Sequence, residues 1–376
     1  MLDPTYPLIP ILNICAAFLL VVTLALNTAR GAYNRGVLML EGWVLVQVLL
    51  MAIQSIVWRD SWHNIAPVFC DISSHMWQGL TVGIPACSFV ITRRVWYAIQ
   101  GDSAVDDQKV GAPREMFVDC FIGLGVPLLS MGSYYVVQGA RFQVIENYGC
   151  STYVYECGVA LIVLQVWLLV FPLMSVSLYG WRIIVFLRRH RRTTNHILQK
   201  YDEFGRTRYT RAFALACVDV ALVLPLGIVN IVVGSAYGVS FWPGWNTIHE
   251  DWDPQFVVRE EWRGDRAWSY HLYWNQCTGV VLSIAIFLLF GLTGATRDSC
   301  RDIFRRAKSS VSSMTTVTSG SSGSIVPPST SLSATPCVIS LASHTMRANH
   351  VRFTGTNLDK QPYHLCRSQH KTMQDK

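Results

Sequence analysis

Residues 70–99 read CDISSHMWQGLTVGIPACSFVITRRVWYAI, and the medium that solvates this stretch decides the fold. Asp71, Ser73, Ser74 and His75 fill its first turns, an apolar run interrupted by Gly83 and Pro85 follows, and Arg93 and Arg94 close it. A helix rises about 1.5 Å per residue, so residues 70–93 cover roughly 36 Å, enough to cross a hydrocarbon core of about 30 Å with some tilt. Pro85 is tolerated in such a helix because neighbouring helices re-satisfy the backbone groups that a proline frees. The stretch reads as a membrane span with a polar mouth and a basic exit.

The rest of the chain extends that reading. Of its 376 residues, 51% are hydrophobic and only 15% charged, and the apolar excess falls in long runs, which is the composition of a polytopic membrane protein. Six further runs lie at 7–26, 36–58, 116–137, 159–187, 212–237 and 272–292. The expected fold is therefore an all-α integral membrane protein, a bundle of seven transmembrane helices. Residues 30–35, 93–114 and 182–211, which follow or flank the first, third and fifth runs, hold fifteen lysines and arginines, whereas the N-terminus and the three opposite loops hold five. By the positive-inside rule the N-terminus is outside and the C-terminus cytoplasmic. The same asymmetry accounts for the net charge of +7 without a nucleic-acid partner. Met1-Leu2-Asp3 offers no basic start for a cleaved signal peptide, so the first helix is expected to direct insertion. Past Gly294, ATRDSCRDIFRRAK alternates apolar and basic positions and reads as a short amphipathic helix on the inner membrane surface, with Cys300 a candidate for S-acylation. Residues 301–376 read as a cytoplasmic tail, Ser/Thr-rich from Ser309 to Ser343 and mostly disordered.

The chemistry-bearing residues argue against an enzyme. There is no HExxH, no GxSxG, no Gly-rich phosphate loop and no pair of acids within one apolar segment. All six lysines lie between or beyond the apolar runs, so no span carries the amine a retinal Schiff base needs. Eleven cysteines without a CxxC pair give no zinc spacing, and neither a metal nor a cofactor is expected. Cys70 and Cys150 both fall on the outer side and form a disulfide candidate, with Cys157 the competing partner. Asp71 and Asp119 fall near span ends, where water reaches them. Glu41 and Asp219 lie one to two turns inside the inner ends of their spans, at the depth of Arg93 and Arg94. An ion pair across the bundle that holds an inactive state competes there with simple snorkelling. Pro85, Pro127, Pro172 and Pro225, each within a span, are candidate pivots. The competing functional class is a seven-span transporter or channel, which would stack polar groups through the midplane. Midplane positions here are mostly Leu, Val, Ile and Ala, with exceptions such as Gln47, Gln165, Asn275 and Gln276, and this favours a receptor.

Several motifs together resemble one family. They are Ala66-Pro67 with Cys70-Asp71-Ile72, Gly83-Ile84-Pro85-Ala86 and Arg93, then Pro172 and Tyr179 leading into a basic run, then Tyr209, Arg211 and Pro225. Over about Tyr6 to Arg301 the chain resembles fungal mating-pheromone receptors of the a-factor type, the lipopeptide-sensing branch of class D G-protein-coupled receptors best populated in basidiomycetes. Two positions depart from the pattern: Phe69 stands where a Trp is usual, and His75 where a basic residue commonly follows the Cys-Asp-Ile motif. The resemblance implies a plasma-membrane receptor for a farnesylated, carboxymethylated peptide, coupled to a heterotrimeric G protein and a mitogen-activated kinase cascade that drives mating. Ligand contacts are then expected at Trp58, Trp62, His63, Asp71, His75, Trp242, Trp245 and Trp268. The aromatic residues of this set would form an interfacial collar while the prenyl chain enters between spans. G-protein coupling is expected at Arg93, Arg94, Arg188, Arg189, Arg191, Arg192, Arg208 and Arg211. The expected partners are a lipopeptide pheromone, a heterotrimeric G protein, membrane lipid and, as an option, a second copy in a homo-oligomer.

Overall fold

The computed structural model describes residues 6–29, 34–100, 113–189, 203–235 and 240–291. Seven long helical stretches follow in chain order: α1 Leu8–Ala29, α2 Arg35–Val57, α3 Pro67–Gln100, α4 Pro113–Val137, α5 at 158–189, α6 Glu203–Ser235 and α7 Arg266–Gly291. Six of them are long and apolar enough to cross a membrane. The other is α3, which at 34 residues has ample length, but its polar first turns and its two arginines dilute its apolar content. The tail from 301 onward, the amphipathic stretch around Cys300, Arg191 and Arg192 lie outside the described residues.

The helices begin where the sequence supplies caps. The Asn34 side chain accepts the Gly36 N–H at 3.1 Å to start α2, Pro67 opens α3 at a position whose N–H would be unpaired anyway, and Asp265 accepts the Ala267 N–H at 2.8 Å to start α7. In the assembled bundle α3 packs against α2, α4, α5 and α6, while α1 and α7 close on α2 and on each other. Leu80, Val82, Ala86, Cys87, Val90 and Ile91 of α3 are buried, whereas Phe18, Phe117, Leu129, Ile162 and Trp181 on other helices stand exposed. An outward surface of that composition is solvated well by lipid and poorly by water.

Two of the four candidate pivots sit beside irregular backbone. Pro127 follows a π-helical turn, Phe121–Gly125, and Pro172 precedes another, Ser175–Gly180. α3 and α6 run through Pro85 and Pro225 as continuous α-helix. The sequence boundaries shift as well: α3 continues past Arg93 to Gln100, and α6 begins at Glu203 rather than at Ala212.

The loops at one end depart from the all-α expectation. Strands β1 Gln143–Ile145 and β2 Gly149–Ser151 form an antiparallel hairpin, and β3 Gln255–Val257 joins β1 in parallel to complete a small sheet in the order β2-β1-β3. The strands are three residues each, too short for an alternating pattern to stand out in the sequence. This sheet caps the bundle at the end where α3 starts, referred to below as the capped end.

Candidate functional site

The capped end is built around the first turn of α3. Cys70 is disulfide-bonded to Cys150 of β2, with Cα atoms 5.1 Å apart, and Cys157 is a buried free thiol. Gln54 Nε2 at the end of α2 donates to the Cys150 carbonyl at 3.1 Å. The Asn147 backbone N–H donates to the Trp58 carbonyl at 3.1 Å, and its side chain donates to the Arg59 carbonyl. These contacts make the ends of α2 and α3 and the hairpin one body. Gly149 holds φ at +104°, and a Cβ there would sit 2.7 Å from Gln54 Cβ, so both backbone conformation and space require glycine. Tyr148 is buried against Trp77, ring centroids 6.1 Å apart, and burial pushes its phenol up.

The eight expected ligand residues separate into engaged and exposed groups. Asp71 is held by Arg141, whose Nε and Nη2 donate to its two carboxylate oxygens at 2.7 and 2.5 Å. That bidentate pair raises the Arg141 guanidinium above its ordinary range. His75 Nδ1 lies 3.0 Å from the Asp71 carbonyl oxygen, and its ring meets the edge of Tyr134 at 5.2 Å. Trp58 requires a correction. It is 0% exposed, donates its indole N–H to the His63 carbonyl at 3.1 Å, and packs with Cys70, Phe142, Val144 and Cys150. The disulfide draws the hairpin over this ring, so Trp58 supports the cap from beneath and presents no collar surface. Trp268 is half-buried against the bundle core.

Trp62, His63, Trp242 and Trp245 do reach the surface. Trp62 stacks on His63 at 4.3 Å and meets Phe256 edge-on at 5.9 Å. Trp245 belongs to a different group with Tyr135, His249 and Trp252. Tyr135, His249, Trp252, Phe256 and Arg141 were not expected from the sequence. The available signal was the four-residue spacing of Trp245 and His249, which brings their rings together one helical turn apart on the same face.

The opposite end of α3 carries the buried charges. Arg93 Nη1 donates to Asp119 Oδ1 at 2.7 Å, Arg93 also pairs with Glu115, and Arg94 Nε donates to Asp119 Oδ2 at 2.6 Å. The Arg93 and Arg94 side chains are 10% and 12% exposed and that of Asp119 is 0% exposed. Asp119, expected in water, is therefore enclosed, and the two arginines are sequestered rather than displayed. Glu115 and Asp119 lie four residues apart on α4, so both carboxylates face α3. The ion pair of Arg93 or Arg94 with Glu41 or Asp219, set against snorkelling in the sequence reading, does not form, and both arginines turn to α4 instead. Glu41 instead accepts from Asn27 Nδ2 at 2.8 Å, and Asp219 is buried beside Ser88 and Cys87. Arg93 also lies over the Tyr97 ring at 5.1 Å, and Tyr97 meets Tyr179 of α5. Arg188 and Arg189 are exposed at the end of α5, and Arg211 is half-buried on α6. Arg208 is on α6, with its side chain outside the described residues. Among the described residues no cluster of three or more His, Cys, Asp or Glu could hold a metal ion.

Comparison with known proteins places both ends in one context. The pheromone A receptor family matches residues 8–309. The chain is 31% identical over 310 residues to the pheromone B alpha 3 receptor of Schizophyllum commune, covering 80% of this chain and 47% of that protein. It is 26% identical over 273 residues to pheromone receptor 2 of Mycosarcoma maydis, covering 70% and 75%. With the pheromone a factor receptor of Saccharomyces cerevisiae it shares 22% over 298 residues, covering 75% and 58%. The chain spans about half the length of the Schizophyllum commune relatives it matches over 310 and 305 residues. Because the family match runs from the start of α1 to beyond α7, and so takes in the disulfide-tied cap and the arginine cluster alike, the chain belongs to the fungal pheromone A receptor family.

Proposed function

We propose that this chain is a seven-helix mating-pheromone receptor of the plasma membrane. It takes a farnesylated peptide at the capped end and activates a heterotrimeric G protein, and through it a kinase cascade, at the arginine end. The observation that carries the reading is α3 itself. It is one 34-residue helix, tied covalently to the cap through Cys70 and by ion pairs to α4 through Arg93 and Arg94. A ligand that shifts the cap shifts a rod whose far end holds buried charges, and such packed contacts switch between discrete arrangements more readily than they deform.

The chemistry of each end supports the orientation. A disulfide persists in an oxidising compartment, which favours the capped end outside, and exposed Arg188 and Arg189 at the opposite end favour the cytoplasmic side. α3 crosses as the seventh span because neighbouring helices enclose it and spare its polar turns from lipid. Burying the fifteen carbons of a farnesyl group at about 0.8 kcal/mol each is worth on the order of 10 kcal/mol as an upper estimate, most of it gained on entering the bilayer. The receptor then reads the peptide, and exposed Trp62, Ile65 and Val68 beside the mouth of α3 give the lipid an apolar approach.

The test uses cells that carry the receptor and a pheromone-pathway reporter. They are exposed to synthetic peptides ending in a farnesylated cysteine methyl ester, and to the same peptides without the farnesyl group. Induction by prenylated members only is expected. Equal induction by both sets, or silence across the prenylated panel with the receptor at the surface, overturns the lipopeptide reading.

A further inference from the structure

The four rings Tyr135, Trp245, His249 and Trp252 form a compact group at the capped end. Trp245 stacks on His249 at 4.0 Å and His249 on Trp252 at 5.4 Å, with interplanar angles of 24° and 25°. Tyr135 at the end of α4 meets all three within 5.8 Å. His249 Nε2 lies 3.1 Å from the Tyr135 carbonyl oxygen, and Ile248 beneath is buried with Tyr134 and Cys157. The group is thus a fixed platform, and Tyr135, Trp245 and Trp252 remain 48%, 46% and 36% exposed.

The loop that presents the platform reads His249-Glu250-Asp251-Trp252-Asp253, three carboxylates within five positions, all exposed. None of the three forms an ion pair among the described residues, Asp251 only accepting from Gln255 at 3.2 Å. Among the described residues, the cations that lie over rings do so over Tyr97, Phe142, Trp96 and Trp262, not over these four rings. A loop that served solely to anchor the protein in the headgroup layer would gain from its tryptophans but nothing from three clustered acids. Exposed aromatic rings on a loop that carries three exposed carboxylates suit a cation, which exchanges part of its hydration for ring quadrupoles and negative charge.

We propose that this platform is the specificity site for a positively charged group of the peptide ligand, a lysine or arginine side chain or the N-terminal ammonium. The proposal rests on the receptor reading above. The prenyl chain contributes membrane affinity that any farnesylated peptide shares, whereas the platform distinguishes one peptide from another by where its cation falls. Of the ring set expected from the sequence only Trp245 belongs to it.

The test measures binding to the full-length receptor in nanodiscs. Two synthetic peptides are compared, each ending in a farnesylated cysteine methyl ester and identical except for a single lysine or norleucine upstream. The lysine peptide is expected to bind about tenfold more tightly, equivalent to about 1.4 kcal/mol, with the advantage shrinking in high salt. In Trp252→Ala, and separately in the Glu250→Gln/Asp251→Asn/Asp253→Asn variant, the advantage should fall below about twofold. The second variant keeps the shapes of its side chains and guards against a folding effect of the first. Equal binding of the two peptides by the unmodified receptor, or a lysine preference that survives in both variants, overturns the platform proposal and leaves the receptor reading standing. If neither peptide binds better than its unprenylated counterpart, the lipopeptide reading falls and this proposal falls with it.

Discussion

Pro127 lacks an N–H, so it cannot serve the Gly123 carbonyl four residues earlier as a regular α-helical residue would. Trp43 of α2 supplies one: its indole Nε1 donates to Gly123 O at 3.0 Å, with a weak second contact from Cys87 Sγ at 3.8 Å. The ring is nearly buried and lies in the notch of Gly83, where an added Cβ would come within 2.7 Å of it. Trp43→Phe retains much of the ring packing and removes the donor. An orphaned buried carbonyl costs about 1–3 kcal/mol in water-soluble proteins, but interhelical hydrogen bonds in membranes average about 0.6 kcal/mol, with an upper limit of about 1.7. The expected hydrogen-bond contribution is therefore about 1 kcal/mol, added to some lost packing. Pro127→Ala restores an N–H that can serve Gly123 O, making the indole redundant. In that background Trp43→Phe should cost about 1 kcal/mol less, the packing loss being common to both arms of the cycle. Thermal unfolding of purified receptor in detergent reads this as a difference of about 1–2 °C between the two Trp43→Phe shifts, the entropy of unfolding scaling with chain length. Equal shifts in the two backgrounds would refute the idea that Trp43 substitutes for the donor Pro127 lacks.

Cys70→Ser and Cys150→Ser should each lower binding of a labelled farnesylated peptide at the cell surface, and the double variant should be no worse than either. Their separation of 80 residues sets an upper estimate of about 4.5 kcal/mol for the closed loop, and clearly additive losses would mean that the two thiols act separately. Asp119→Asn leaves Arg93 with Glu115 and Arg94 with no carboxylate partner among the described residues, and should raise ligand-free reporter output several-fold if this cluster restrains the resting state. Unchanged basal output in a variant present at normal surface levels would assign the cluster to folding only. Trp62→Ala should reduce potency for a farnesylated peptide more than for its unprenylated analogue, and equal losses would place Trp62 on the peptide or on the fold.

Much of the bundle is determined by quantities local in the chain. Run length, the loop charges and the caps at Asn34 and Asp265 place the helices, because each depends on how a short segment meets lipid, water or its own unpaired backbone groups. The family resemblance was likewise legible in short motifs around Cys70, Pro85 and Pro225. What the tertiary structure alone decided are pairings between distant faces. Cys150, not Cys157, meets Cys70. Arg93 and Arg94 meet acids of α4 instead of Glu41 or Asp219. Trp58 lies under a hairpin while Trp62, four positions on, is exposed. Tyr135 joins a ring group supplied by a loop more than a hundred residues later. Each of these depends on which side of one helix turns toward which side of another, and that rotation is fixed by side-chain packing summed over the whole bundle, a sum to which no single segment of sequence gives access.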